Sequence, residues 1–130
     1  MNKQIEYYQA KLEYEMDPCD LFNAMEKGGA VIPVDTRKPA AFEKEHIPGA
    51  VNLPHRTIDE NSTKGLDKSK TYACYCKGTG CNASTHGALK LARLGFKVKE
   101  VIGGLESWKA DGYSTSGTHN INETKIVCSC

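Results

Sequence analysis

At 130 residues, with 39% hydrophobic and 25% charged side chains, the chain has the size and composition of one globular domain able to bury a core. A formal net charge of +1 without a basic run offers no footing for nucleic acid or an anionic membrane surface, and no apolar stretch approaches a membrane span. The first residues lack the apolar segment of an export signal, so the expected setting is the cytoplasm, and the sequons at Asn61, Asn82 and Asn122 read as chance composition.

Residues 1–16 form an N-terminal lead-in. Its first ten positions are polar with scattered tyrosines, and Leu12, Tyr14 and Met16 then alternate with charged residues at the period of a half-buried edge strand. Asp17-Pro18 reads as an N-cap followed by proline at the first helical position. The helix runs to about Lys27 with Leu21, Phe22, Ala24 and Met25 inward, and Gly28-Gly29 stops it. Ala30 to Val34 is an apolar run suited to a strand covered on both faces. Pro33 fits poorly there, since it cannot donate to a ladder.

Asp35-Thr36-Arg37 leave that strand as polar residues at its carboxyl end, placed either to orient a site or to form a structural ion pair. A short helix over Pro39 to Lys44 follows, anchored by Phe42. The turn His46-Ile47-Pro48-Gly49-Ala50 delivers a brief strand at Val51 to Leu53, with His46 fixing the turn. Residues 54–69 are irregular, tethered by Ile58 and Leu66.

Thr71 to Tyr75 is the next strand, and it reaches Cys76. The loop Lys77-Gly78-Thr79-Gly80-Cys81-Asn82 then leads to a helix from about Ser84, with Ala88, Leu89, Leu91, Ala92 and Leu94 covering one broad side. A sulfur between a glycine-bearing loop and a helix N-terminus sits where backbone N–H groups and the helix dipole favour an anion. Both effects favour thiolate, the reactive form, and Gly78 and Gly80 supply the positive φ such a cradle needs. Cys76 is thus the candidate nucleophile, and Lys77 to Asn82 the candidate anion-binding loop.

Gly95 ends the helix, Val98 to Ile102 is a last strand, and Gly103-Gly104 opens a helical turn holding Trp108 as a core residue. Residues 114–130 are a polar tail, with a possible edge strand at Thr124 to Val127. Strands alternating with helices at this spacing predict a mainly parallel α/β sheet between helices, with ligands beyond the strands' carboxyl ends, where Asp35 and Cys76 fall.

Six cysteines in a reducing compartment are expected to be thiols, and without Cys-x-x-Cys pairs no metal site is expected. Cys74 reads as a packing residue. Cys81 is open to two readings, a partner that resolves a Cys76 adduct or a small loop filler. Cys128 and Cys130 read as idle tail thiols.

Three segments, taken in order over about residues 17–113, resemble a single-domain rhodanese-like protein. They are Val34-Asp35-Thr36-Arg37 with His46-Ile47-Pro48-Gly49-Ala50, then Tyr75-Cys76 before its Gly-rich loop, then Gly95-Phe96 with Ile102-Gly103-Gly104 and Trp108. The resemblance implies a three-layer α/β fold and sulfur transfer without a cofactor. Cys76 would take sulfur from a small anionic donor such as thiosulfate, or from a persulfide, and pass it to a thiol or a protein acceptor. A persulfide carrier or regulatory module without turnover is the alternative. The loop departs from the family's Cys-x-x-Gly-x-Arg pattern: it is two residues longer and holds no arginine, only Lys77. A lysine cannot supply arginine's planar fork.

Overall fold

The computed structural model describes residues 2–118. Its five strands form one sheet of order β1-β5-β4-β2-β3: β1 (Glu15–Met16), β2 (Val31–Asp35), β3 (Val51–Asn52), β4 (Thr71–Tyr75) and β5 (Lys97–Val101). Every neighbouring pair is parallel. Five helices cover it, α1 (Lys3–Tyr14), α2 (Pro18–Glu26), α3 (Pro39–Lys44), α4 (Ala83–Arg93) and α5 (Gly104–Ala110), so the expected α/β architecture is the one found.

The period-two geometry of a strand sends successive side chains to opposite faces. On β4, Ala73 and Tyr75 join Met16, Leu21, Ile47, Val101, Leu105 and Trp108 on one face, under α2 and α5. Tyr72 and Cys74 join Val34, Leu53, Ile58, Ala88, Leu91 and Phe96 on the other, under α4. Trp108 is a core residue, 2% exposed, with its indole N–H donating to the Ser114 carbonyl at 2.9 Å.

Pro33 lies inside β2 without cost, for a reason of register. The Asp35 carbonyl accepts from Leu53 N–H, so residues of odd number on β2 turn their peptide groups toward β3. β3 starts opposite Val34, hence nothing in the sheet calls for a donor from Pro33.

The N-terminal segment departs from expectation. Residues 3–14 are helical and only Glu15–Met16 pair as an edge strand beside β5. Asn2 caps the helix by accepting from Gln4 N–H at 2.8 Å, and Lys11 bridges Glu15 one turn on at 2.8 Å. Ile5, Tyr8 and Leu12 stand at helical spacing on an exposed stripe, so the alternation through Leu12, Tyr14 and Met16 was the weaker pattern. Asp17 caps α2 as expected, accepting from Asp20 N–H at 2.8 Å. On α4 the buried stripe is Ala83, Ser84, Gly87, Ala88 and Leu91, which leaves Leu89, expected inward, 47% exposed. The edge strand expected at Thr124 to Val127, with Cys128 and Cys130, lies outside the described residues.

At the end of β2, Asp35 and Arg37 form a buried bidentate pair, Nε to Oδ1 at 2.9 Å and Nη2 to Oδ2 at 2.7 Å. Nη2 also donates to the Glu45 carbonyl at 2.6 Å, which ties β2 to the end of α3. Arg37→Ala would strand a carboxylate that is fully buried, and should lower stability by about 3–5 kcal/mol. Chemical denaturation measures this. A loss under ~1 kcal/mol would mean that water reaches Asp35 and replaces the guanidinium.

Candidate active site

The site grows from the end of β4. Tyr75 is fully buried, and its hydroxyl oxygen accepts the Ile47 N–H at 3.0 Å, fixing the strand's last residue against the turn that begins at His46. Burial pushes this hydroxyl's pKa far up, with the Asp35 carboxylate adding to the shift, so it stays a neutral phenol. His46 is a structural residue here. Its ring stacks on Phe42 at 3.9 Å, its Nδ1 lies 2.6 Å from the Phe42 carbonyl, and its backbone bridges Ser116.

Cys76 follows, 2% exposed, at the point where the chain turns off the sheet. Its backbone is held from the far side by α5. Leu105 N–H donates to the Cys76 carbonyl and Glu106 N–H to the Lys77 carbonyl, both at 2.9 Å. These are among the four N–H groups that a helix start leaves without an internal partner. Gly103 and Gly104 make this approach possible, because both have positive φ and a methyl on Gly104 would overlap the Cys76 carbonyl oxygen. Both peptides are trans, so the N–H groups of Lys77 and Gly78 point away from α5.

On the α4 side, three groups approach the sulfur. The Cys81 carbonyl oxygen lies 3.3 Å from Sγ, the Gly78 carbonyl oxygen 3.9 Å, and the Ser84 hydroxyl 3.9 Å. The two carbonyls can only accept, so they receive the hydrogen of a resting Cys76 thiol. Gly80 has φ +91°, as the sequence predicts. Gly78 does not, and the end of the flexible Glu106 side chain rests against it.

The cysteines separate sharply. Cys74, on the α4 face of β4, is a packing residue: burial pushes its thiol up to about 12, helped by the Glu100 carboxylate. Cys81 is disulfide-bonded while Cys19, Cys74 and Cys76 are free thiols. The bridge therefore does not join Cys81 to Cys76, and it departs from the expectation that all six cysteines are thiols. Asp35 and Arg37 stand beside the site as a structural pair. Among the described residues no group of three metal-ligating side chains converges anywhere.

Glu100 is the site residue that the sequence did not single out. Its carboxylate accepts from Ser84 Oγ at 3.1 Å and from Thr85 Oγ1 at 2.9 Å, in the first turn of α4. The available signal was register. Glu100 sits opposite Cys74 at the carboxyl end of β5, on the face that α4 covers.

The comparisons agree with this architecture. The rhodanese-like domain family matches residues 18–111. A thiosulfate sulfurtransferase GlpE of Pseudomonas syringae pv. syringae is 37% identical over 99 residues, 75% of this chain and 89% of that protein. The protein of the same name from Coxiella burnetii is 34% identical over 91 residues, covering 69% and 82%. Among solved structures, the BH2092 protein of Bacillus halodurans superposes with a TM-score of 0.84 at 42% identity, covering 90% of this chain and 86% of its own. A protein of Lactobacillus plantarum gives 0.73 at 29% identity, covering 88% and 97%. With the family model matching most of its length, the chain belongs to the rhodanese-like domain family.

Proposed function

We propose that this protein is a sulfurtransferase whose Cys76 receives a sulfane sulfur and passes it on. The observation that carries the reading is a free, buried thiol at the end of a central strand, clasped by α5 behind and the first turn of α4 in front. The names of the relatives support sulfur transfer for the family.

In the first half-reaction Cys76 gives up its proton and Sγ attacks the sulfane sulfur of the donor. A bond forms from Sγ to that sulfur, the donor's bond to it breaks, and the electron pair leaves with the donor fragment. In the second, a thiol or another nucleophile attacks the outer sulfur, and the pair of the Sγ–S bond returns to Cys76. Neither half needs an oxidant or a cofactor. The loop from Lys77 through Gly78, Thr79, Gly80, Cys81 and Asn82 would hold the anionic intermediate by its N–H groups. The orientation that α5 imposes on the first two peptides favours this. A resting loop that turns the Gly78 and Cys81 carbonyls to the thiol must also reorient, and the glycines give it that freedom. Asp35 and Arg37 would support the loop from below. A cytoplasmic setting belongs to the same proposal; among the described residues no helix is long and apolar enough to cross a membrane.

A carrier or regulatory module that is loaded but turns over poorly is the second reading. The nearly closed sulfur and the absent loop arginine favour it. Steady-state turnover with a thiol acceptor separates the two.

Intact-mass analysis after treatment with a persulfide or thiosulfate should show a gain of one sulfur, removed by cyanide and absent in Cys76→Ser. That variant should keep its fold by circular dichroism. A Cys76→Ser protein that still takes up cyanide-labile sulfur would overturn the assignment. In the loop, Lys77→Ala should slow sulfur transfer from an anionic donor only about tenfold, since a lysine in an open loop is hydrated and screened. Gly80→Val should do far more harm, because a β-branched residue resists φ +91°. Steady-state kinetics of the two variants would show the reverse order if the lysine side chain were the principal grip.

A further inference from the structure

The first turn of a helix draws an anion because its N–H groups and nearby hydroxyls are unpaired donors at the positive end of the dipole. At α4 the two hydroxyls of that turn are already engaged. Glu100, half-buried on β5, accepts both hydroxyls of the turn, from Ser84 at 3.1 Å and from Thr85 at 2.9 Å. A hydroxyl carries one hydrogen, so Ser84, while bonded to Glu100, presents only lone pairs to Cys76 Sγ at 3.9 Å. Among the described residues no cation pairs with Glu100. Lys11 senses its charge, but Lys11 Nζ bonds both Glu15 oxygens, at 2.8 and 3.0 Å. A second carboxylate, the exposed Glu106, lies against Gly78. The charge of Arg37 is matched by Asp35.

We propose that Glu100, with Glu106 behind it, selects the sulfur donor: Cys76 takes sulfur from an organic persulfide that is neutral or positively charged at its reacting end, and discriminates against small inorganic anions. This rests on the sulfur-transfer reading and names its substrate class. The step is balanced without a co-reactant. Cys76–SH and R–S–SH give Cys76–S–SH and R–SH. The Sγ–S bond forms, the donor's S–S bond breaks, and its electron pair leaves on the R–S sulfur, which takes the proton that Cys76 released. A dianion approaching the same sulfur would meet the half-buried Glu100 carboxylate, against which like-charge repulsion is stronger than in bulk water.

The electrostatics can be read with methanethiosulfonates, which convert a thiolate to a mixed disulfide with loss of methanesulfinate. The probes are the trimethylammonioethyl and sulfonatoethyl reagents on the full chain, with Cys76 followed by peptide-resolved mass spectrometry. Relative to a free small thiol, the cationic reagent should be favoured at Cys76 by about tenfold or more. The preference should shrink as salt rises and fall several-fold in Glu100→Gln, with a further fall when Glu106→Gln is added. Thr85→Val removes a hydroxyl but no charge, and should leave the ratio within about twofold. In sulfur loading, Glu100→Gln should improve thiosulfate relative to cysteine persulfide by about tenfold. A faster reaction with the anionic reagent, or a ratio unmoved by Glu100→Gln, overturns the proposal. Should Glu100→Gln fail to fold, the salt dependence of the wild-type ratio decides in the same way. Cys76 that takes no sulfur from any donor would sink the sulfur-transfer reading instead, an outcome separate from the reagent ratio.

Discussion

The contact on which the site depends is the pair of hydrogen bonds from the start of α5 to the carbonyls of Cys76 and Lys77. It resolves two problems at once. The N–H groups at a helix start need acceptors, and a chain leaving a sheet needs its first peptides held. Because a trans peptide sets its C=O and N–H in opposite directions, fixing those carbonyls also fixes where two of the loop's donors point. Gly104 is the steric condition, since a side chain there would occupy the space of the Cys76 carbonyl oxygen. The pair of glycines before Trp108 thus serves to hold Cys76 across the molecule.

Strand alternation does the remaining positioning. Tyr75 turns to the α2 and α5 face and is locked by the turn after α3, while Cys74 turns under α4. The two cysteines of this strand end are separated by two residues and by their chemistry. Cys74 is enclosed by apolar side chains and faces Glu100, which makes its ionisation unfavourable. Cys76 lies past the last paired residue, among carbonyls and a hydroxyl, where its proton has an acceptor at hand. Cys81, in the same loop, is already committed to a disulfide. Residue type alone does not distinguish the three. Their place along the sheet does.

The buried Asp35–Arg37 pair shows how a stability device and a site share one location. Arg37 joins β2 to the end of α3, and Thr36, between the two charges, donates its hydroxyl to the Tyr75 carbonyl at 2.8 Å. The carboxyl ends of β2 and β4 are bound by these side-chain contacts where the ladder stops.

Much of this was legible in the sequence alone. Asp17-Pro18, Gly95, the apolar run into Asp35 and the strand ending at Cys76 are local signals, with caps, breakers and periodicities acting within a few residues, and they placed α2, β2, β4 and α4. The passage from β4 through the loop after Cys76 to α4 was legible for the same reason. The N-terminal helix was misread because two short-range patterns competed there, and the choice between them is made by the Asn2 cap and by β5, which leaves room for only two residues of strand. Tertiary structure alone decided the contacts of Glu100 and Glu106 and left a free Cys76 thiol beside a bridged Cys81. Glu100 meets Ser84 and Thr85 across sixteen and fifteen positions of chain, and Glu106 reaches Gly78 through the docking of α5. Which donor meets which acceptor at such separations is set by sheet order and helix docking, and no local pattern of residues encodes that distance.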